Sequence, residues 1–149
     1  MKRVLVAAGA LALGDFAGGV WFCDLAQARS LDGILHGVAQ GLDVPLGNDD
    51  PATQLGHAIA GRGQCLVILD NFEQVVEAAA DLASLLGACP HLDLLVTSRE
   101  PLHVTGEQEY PVPPLVHEEG VGFFLARARA VKPDFRPDEA VSEICRRLD

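Results

Sequence analysis

Apolar and polar positions follow each other along the chain in a way that predicts strands separated by helices. Three short, mainly apolar runs occupy residues 20–23, 65–69 and 92–97. Continuous apolar runs of this length are typical of strands buried on both faces of a parallel sheet. The run 65–69 ends at Asp70, which places a carboxylate at the carboxyl end of a strand, where open α/β sheets bind their ligands. The alternative is that Asp70 only caps the structure that follows.

Two stretches between the first and second strands have helical spacing. Ser30 is a good N-cap, and Gly41 is a good stop for the first of these helices. Asp50 caps the second helix and Pro51 occupies its first position. Both helices carry apolar residues at the spacing of one buried face, namely Leu31, Ile34, Leu35, Val38 and Leu42 in the first and Leu55 and Ile59 in the second.

Beyond the second strand, the pattern over residues 72–86 predicts one long amphipathic helix. After the third strand, a short strand is predicted at 108–111. Two further helices are predicted around 123–128 and 141–148, separated by the Lys-Pro-Asp turn at 132–134. This order predicts an α/β fold with a mostly parallel sheet and right-handed crossovers.

Composition narrows the class of protein. The 149 residues are 49% hydrophobic and carry a net charge of −10, which is typical of one globular domain and leaves no basic surface for a nucleic-acid backbone. The four cysteines have no Cys-x-x-Cys spacing, and the five histidines have no metal-binding spacing. We therefore expect free buried thiols in a reducing cytoplasm and no metal site built from these residues.

The first residues allow more than one interpretation. Lys2 and Arg3 precede an apolar run at 4–13, which resembles the start of a signal peptide and leaves open a small exported protein. The run is too short to span a bilayer as a helix. We favour a cytoplasmic helix, although residues 4–6 alone also suit a short strand.

Two stretches together resemble a known family. The strings LVILDNFEQV at 66–75 and LLVTSREPL at 94–102 are similar to the Walker B and sensor 1 segments of STAND-class P-loop ATPases. They resemble in particular the NB-ARC-like module of large bacterial transcriptional regulators and cyclase-linked regulators. Residues 19–25, 106–115 and 144–149 add weaker matches, so the resemblance covers essentially the whole chain. It implies a P-loop NTPase-like parallel sheet with flanking helices over 1–115, followed by the start of a helical lid domain over 116–149.

The resemblance also implies roles for the residues at the end of the second strand. Asp70 would contribute to binding Mg²⁺, and Glu73 would lie near the water that attacks the nucleotide. Asn71 stands where many relatives carry a second acid, which argues against rapid hydrolysis.

The third strand contributes the other implied residues. Arg99 would contact the γ-phosphate of ATP, because its planar, permanently charged guanidinium suits a phosphate. The alternative is that Arg99 forms a surface ion pair with Glu100 or Glu107. Thr97 and Ser98 would line the same nucleotide site or serve only to cap the strand end.

Two motifs of the family are missing from the printed sequence. It contains no Gly-x-x-x-x-Gly-Lys-Ser/Thr loop, which supplies backbone N–H groups and a lysine to the nucleotide phosphates. It also lacks the family's Gly-x-Pro-Leu-Ala motif. The family's central P-loop strand is therefore missing, and the fold is expected to be marginal unless residues 4–6 fill that gap.

We therefore interpret the chain as a fragment, or a wrongly started reading frame, of an ATP/ADP-dependent switch module. By itself it is expected to bind Mg-ATP weakly or not at all, and its partners would be nucleotide and other domains of a longer parent. No direct contact with nucleic acid or membrane is expected. The alternative is a degenerate, non-catalytic domain that keeps the fold and binds proteins.

Overall fold

A computed structural model describes residues 14–47, 50–87 and 89–147 of the chain. The predictions for residues 4–13 and for Leu148 lie outside the described residues. The chain divides into two compact units, Met1–Gln108 and Glu109–Asp149. The assignment of a partial NTPase core and a helical subdomain to 1–115 and 116–149 stays a prediction.

The first unit contains a three-stranded parallel sheet. Its strands are β1 (Val20–Asp24), β2 (Cys65–Asp70) and β3 (Leu92–Val96), in the order β1-β2-β3. Phe22 lies opposite Ile68, which lies opposite Leu95 on the other side. The parallel α/β architecture and all three of these strands are confirmed.

Two helices connect β1 to β2, and their N-caps are those that the sequence predicts. Helix α1 spans Leu31–Gly41, and the Ser30 hydroxyl accepts a hydrogen bond from the Gly33 N–H at 3.3 Å. Helix α2 spans Pro51–Ala60, and the Asp50 carboxylate accepts one from the Thr53 N–H at 2.8 Å. Both caps satisfy backbone N–H groups that have no partner within the helix.

The core of this unit forms where β2 meets the apolar faces of the helices. Val67 and Leu69 belong to a buried cluster that includes Cys23, Ile34, Leu35, Val38, Leu55, Ile59, Phe72 and Leu82. The alternate residues of β2, Ile68 and Asp70, are also at most 2% exposed. Strand β2 is therefore buried on both faces, as predicted.

Strand β3 differs from β2. Asp93 is exposed and Leu95 is 40% exposed, while the intervening residues are partly buried. Among the described residues, β3 pairs only with β2 and lies at the edge of the sheet. The prediction of a second buried strand at 92–97 was wrong, because only one face of β3 packs against the core, through Leu92, Leu94 and Val96.

The helix predicted over 72–86 is confirmed only in its second half. Two 3₁₀ turns, Phe72–Gln74 and Val76–Ala78, precede helix α3 (Ala79–Gly87). Asn71 has left-handed backbone angles (φ 68°), and Val75, at φ −141°, separates the two turns. The apolar spacing misled because residues three apart face the same side in a 3₁₀ turn as well as in an α-helix.

The short strand predicted at 108–111 was wrong as well. These residues have no regular secondary structure, and Tyr110 is 88% exposed. Pro111 has no N–H to donate to a neighbouring strand.

The second unit consists mainly of helices α4 (His117–Val131) and α5 (Glu139–Arg147), as predicted. Val141 and Cys145 of α5 are buried, and a 3.1 Å hydrogen bond joins His117 Nε2 of α4 to Ser142 Oγ of α5. No helix within the described ranges combines the length and apolar character that crossing a membrane requires.

Candidate functional site

The carboxyl ends of β2 and β3 are joined by backbone hydrogen bonds that continue past the strands. The Thr97 N–H donates to the Leu69 carbonyl at 2.9 Å, and the Phe72 N–H donates to the Thr97 carbonyl at 3.0 Å. Asp70, the last residue of β2, therefore lies beside Thr97, the first residue after β3. Parallel pairing brings the two strand ends to one edge, as the sequence predicts.

The Thr97 hydroxyl connects the two strand ends. It donates to Asp70 Oδ1 at 2.6 Å and accepts from the Asn71 N–H at 3.2 Å. Asp70 is 2% exposed, so this bond gives a buried carboxylate one of the partners that burial demands. Asn71 is suited to the left-handed turn that follows, because its short polar side chain tolerates that conformation. Thr97 thus has the strand-end role that the sequence allows for it.

Arg99 pairs with Glu73 at the same edge. Arg99 Nε lies 3.4 Å from Glu73 Oε1, with the arginine side chain 84% exposed and the glutamate side chain 13% exposed. The ion pair with Glu100 or Glu107 that the sequence left open is not found. Glu73 follows β2 and Arg99 follows β3, so sheet pairing brings together two residues that lie 26 positions apart. Because the arginine side chain is open to solvent, which screens the attraction, Arg99 can exchange Glu73 for another anion.

Ser98 and Glu107 bind the backbone of their own loop. Ser98 Oγ accepts from the Glu100 N–H at 3.2 Å. Glu107 accepts from the Leu102 N–H at 2.8 Å and the Val104 N–H at 3.4 Å. These hydrogen bonds, above all the one from Leu102, hold the pKa of Glu107 below its usual value. Neither Ser98 nor Glu107 is among the groups that meet at Asp70.

Asp24 is a further carboxylate at this edge, which the sequence analysis did not single out. It ends β1 in register with Asp70, and its Oδ1 accepts from the Ala26 N–H at 3.0 Å. The Leu25 N–H donates to the Asp70 carbonyl at 2.9 Å. The signal was present, since β1 also ends in a carboxylate, but only the sheet order shows that β1 and β2 are neighbours.

The oxygen and guanidinium groups at this edge suit a magnesium–phosphate ligand better than a bare metal ion. Within the described ranges, no three His, Cys, Asp or Glu side chains group as a metal site. Mg²⁺ in nucleotide sites commonly takes only one or two carboxylates and completes its shell with phosphate oxygens and water. Asp70 has a carboxylate of the kind that could serve such a site, and Arg99 has the charge that could bind a phosphate.

The chain is similar in sequence to several mycobacterial proteins. The chain is 35% identical over 154 residues to uncharacterized proteins of Mycobacterium tuberculosis and Mycobacterium bovis, covering 99% of this chain and 39% of theirs. It is 37% identical over 140 residues to an M. tuberculosis protein named "Putative HTH-type transcriptional regulator", covering 88% of this chain and 16% of that protein. The chain thus spans about two fifths of the length of the first relatives and a smaller part of the last. No family model matches the sequence.

Proposed function

We propose that this chain is part of an ATP/ADP-dependent switch module of a bacterial signalling or transcriptional regulator. The observation that carries the proposal is the meeting of Asp70, Thr97 and the Glu73–Arg99 pair at one carboxyl edge of a parallel sheet. The similarity to a protein named as a transcriptional regulator supports the regulatory part. The motif resemblance at 66–75 and 94–102 supports the nucleotide part.

In this proposal each residue has a distinct task. Asp70, held by the Thr97 hydroxyl, presents a carboxylate toward Mg²⁺. Arg99 leaves Glu73 to contact the γ-phosphate, which it can do because its side chain is 84% exposed. Glu73 would lie near the attacking water, and Asn71, which stands where many relatives carry a second acid, would make hydrolysis slow. The negative charge of the nucleotide phosphates attracts Arg99. When the γ-phosphate is lost, Arg99 loses that partner.

The chain is expected to bind nucleotide only weakly by itself. The printed sequence holds no glycine-rich phosphate loop, and that loop provides most of the phosphate contacts in this class. We expect a Kd of about 1 mM or higher, which corresponds to a binding free energy of about −4 kcal/mol or less negative. In the longer parent, ATP and ADP would change the equilibrium between two arrangements of the domains. The size of that change is limited by how much each nucleotide's affinity differs between the two arrangements.

The test is an NMR titration of this chain with Mg-ATP up to about 10 mM. We expect saturable shifts at the backbone amides of Asn71, Thr97 and Arg99, and their loss in R99Q. R129Q makes the same charge change on an exposed arginine of α4 and should keep the shifts. A submillimolar Kd would disprove weak binding, and shifts confined to other residues would disprove this site.

A second candidate is a non-catalytic interaction domain that has the fold and binds no nucleotide. It is favoured by the Glu73 carboxylate, which already neutralises Arg99 without any phosphate. This candidate predicts no amide shifts at the strand ends at any nucleotide concentration. The same titration therefore separates the two candidates.

A further inference from the structure

The segment that carries Arg99 is anchored on both sides. On one side, the Thr97 N–H and carbonyl are bonded to the strand and turn of β2. On the other, Leu102 and Val104 are partly buried and pack against the core cluster. Only four residues separate Thr97 from Leu102, so the position of Arg99 depends on how firmly both anchors hold.

Glu107 supplies the second anchor. One carboxylate oxygen accepts from the Leu102 N–H at 2.8 Å, and the other accepts from the Val104 N–H at 3.4 Å. The Glu107 N–H in turn donates to the Val104 carbonyl at 3.2 Å. His103 and Gly106 both have positive φ angles, 55° and 87°, within the turn that Glu107 closes. A turn with a non-glycine residue in this conformation needs such bonds to persist.

We propose that Glu107 is a positioning residue, whose carboxylate closes the loop after β3 and thereby keeps Arg99 beside Glu73. Without the carboxylate, Leu102 and Val104 lose the acceptor for their N–H groups. The loop then gains conformational freedom, which opposes the ordered position of Arg99. Naming Arg99 as a phosphate-binding residue rests on the proposed function, but its positioning by Glu107 does not.

Acid should open this loop. The hydrogen bonds from Leu102 and Val104 hold the pKa of Glu107 below its usual value, and His103 adds an electrostatic contribution of the same sign. A carboxylate with a lowered pKa in the folded state stabilises that state above its unfolded pKa, near 4.5. This stabilisation is lost as the pH falls through the lower, folded pKa.

The experiment measures amide hydrogen exchange at Leu102 and Val104 together with the NMR signal of the Arg99 side-chain Nε–H. At pH 7, E107A should speed exchange of both amides by about tenfold, the usual effect of losing a hydrogen bond to a charged acceptor. E107Q retains one acceptor oxygen and should protect one of the two amides. E109Q makes the same charge change two residues away and should alter neither amide.

The NMR signal of the Arg99 side chain shows whether Glu107 positions Arg99 or only stabilises its own turn. In E107A it should move toward its position in E73Q, in which the arginine has lost its partner, and E107Q should restore it partly. In the unmodified chain, the protection of the Leu102 amide against hydrogen exchange should fall in acid. In E107Q this acid-induced fall should be absent.

Unchanged exchange in E107A would overturn the proposal, as would faster exchange with an unmoved Arg99 signal. If E107A unfolds, E107Q and the acid series of the unmodified chain decide the question. None of these measurements involves nucleotide. The proposed function and this inference therefore fail independently.

Discussion

Replacing Thr97 with valine tests the hydrogen bonds that join the ends of β2 and β3. Valine has nearly the same shape as threonine but can neither donate to Asp70 Oδ1 nor accept from the Asn71 N–H. The change therefore removes both bonds without creating a cavity. Asp70 stays 2% exposed and loses its hydroxyl donor.

The expected cost follows from these two bonds. A hydrogen bond to a charged group contributes about 1.5–3 kcal/mol, and one between neutral groups about 0.5–1.5 kcal/mol. We expect T97V to lower the free energy of unfolding by about 2–4 kcal/mol. For a unit of this size that corresponds to a fall in Tm of about 8–16 °C.

Urea and thermal unfolding, followed by circular dichroism, measure this loss. T53V is a matched control, because the Thr53 hydroxyl donates to the Asp50 carboxylate at 2.7 Å but does so in solvent. Burial is the main difference between the two threonine–aspartate bonds. If T97V costs no more stability than T53V, the Thr97–Asp70 bond does not hold the strand ends together.

Two further predictions concern the interior of the first unit. G41A should lower the free energy of unfolding by about 1–3 kcal/mol, because the new methyl group would overlap Cys23 Sγ and lie 2.9 Å from the Phe22 carbonyl oxygen. G56A has open space in α2 and should raise stability by about 0.5–1 kcal/mol, so a loss in both variants would contradict the packing argument. Burial raises the pKa of Cys23 from 9.0 to about 12, which at pH 8 lowers its thiolate fraction from about 10⁻¹ to about 10⁻⁴. Mass spectrometry after iodoacetamide treatment should show Cys23 labelled only where urea unfolds the chain, and rapid labelling without urea would contradict its burial.

The elements that the sequence predicted well are those with strong local signals. The caps at Ser30 and Asp50 and the apolar run of β2 each depend on residues within a few positions of one another. All four cysteines are free and buried, as their spacing suggested.

Predictions failed where apolar spacing fitted more than one structure. The interval of three between Phe72 and Val75 suits a 3₁₀ turn as well as an α-helix, and the left-handed Asn71 favours the turn. Similarly, the apolar residues of β3 do not show that this strand lies at the edge of the described sheet.

In the candidate site, too, the sequence predicted some features and not others. The sequence located Asp70, Asn71, Glu73, Thr97 and Arg99 and placed them at strand ends. It could not select Glu73 as the partner of Arg99, or identify Glu107 as the residue that closes the loop. Which carboxylate meets Arg99 depends on which backbone segments the sheet places side by side.

The sequence alone therefore determined that this chain is an α/β protein with carboxylates and an arginine at its strand ends. Hydrophobic spacing and capping chemistry are local, and they suffice for that conclusion. Only the tertiary structure decided that the Thr97 hydroxyl binds the buried Asp70 carboxylate and that Glu73 meets Arg99. These contacts join residues 26 or 27 positions apart, and the parallel pairing of β2 with β3 creates them.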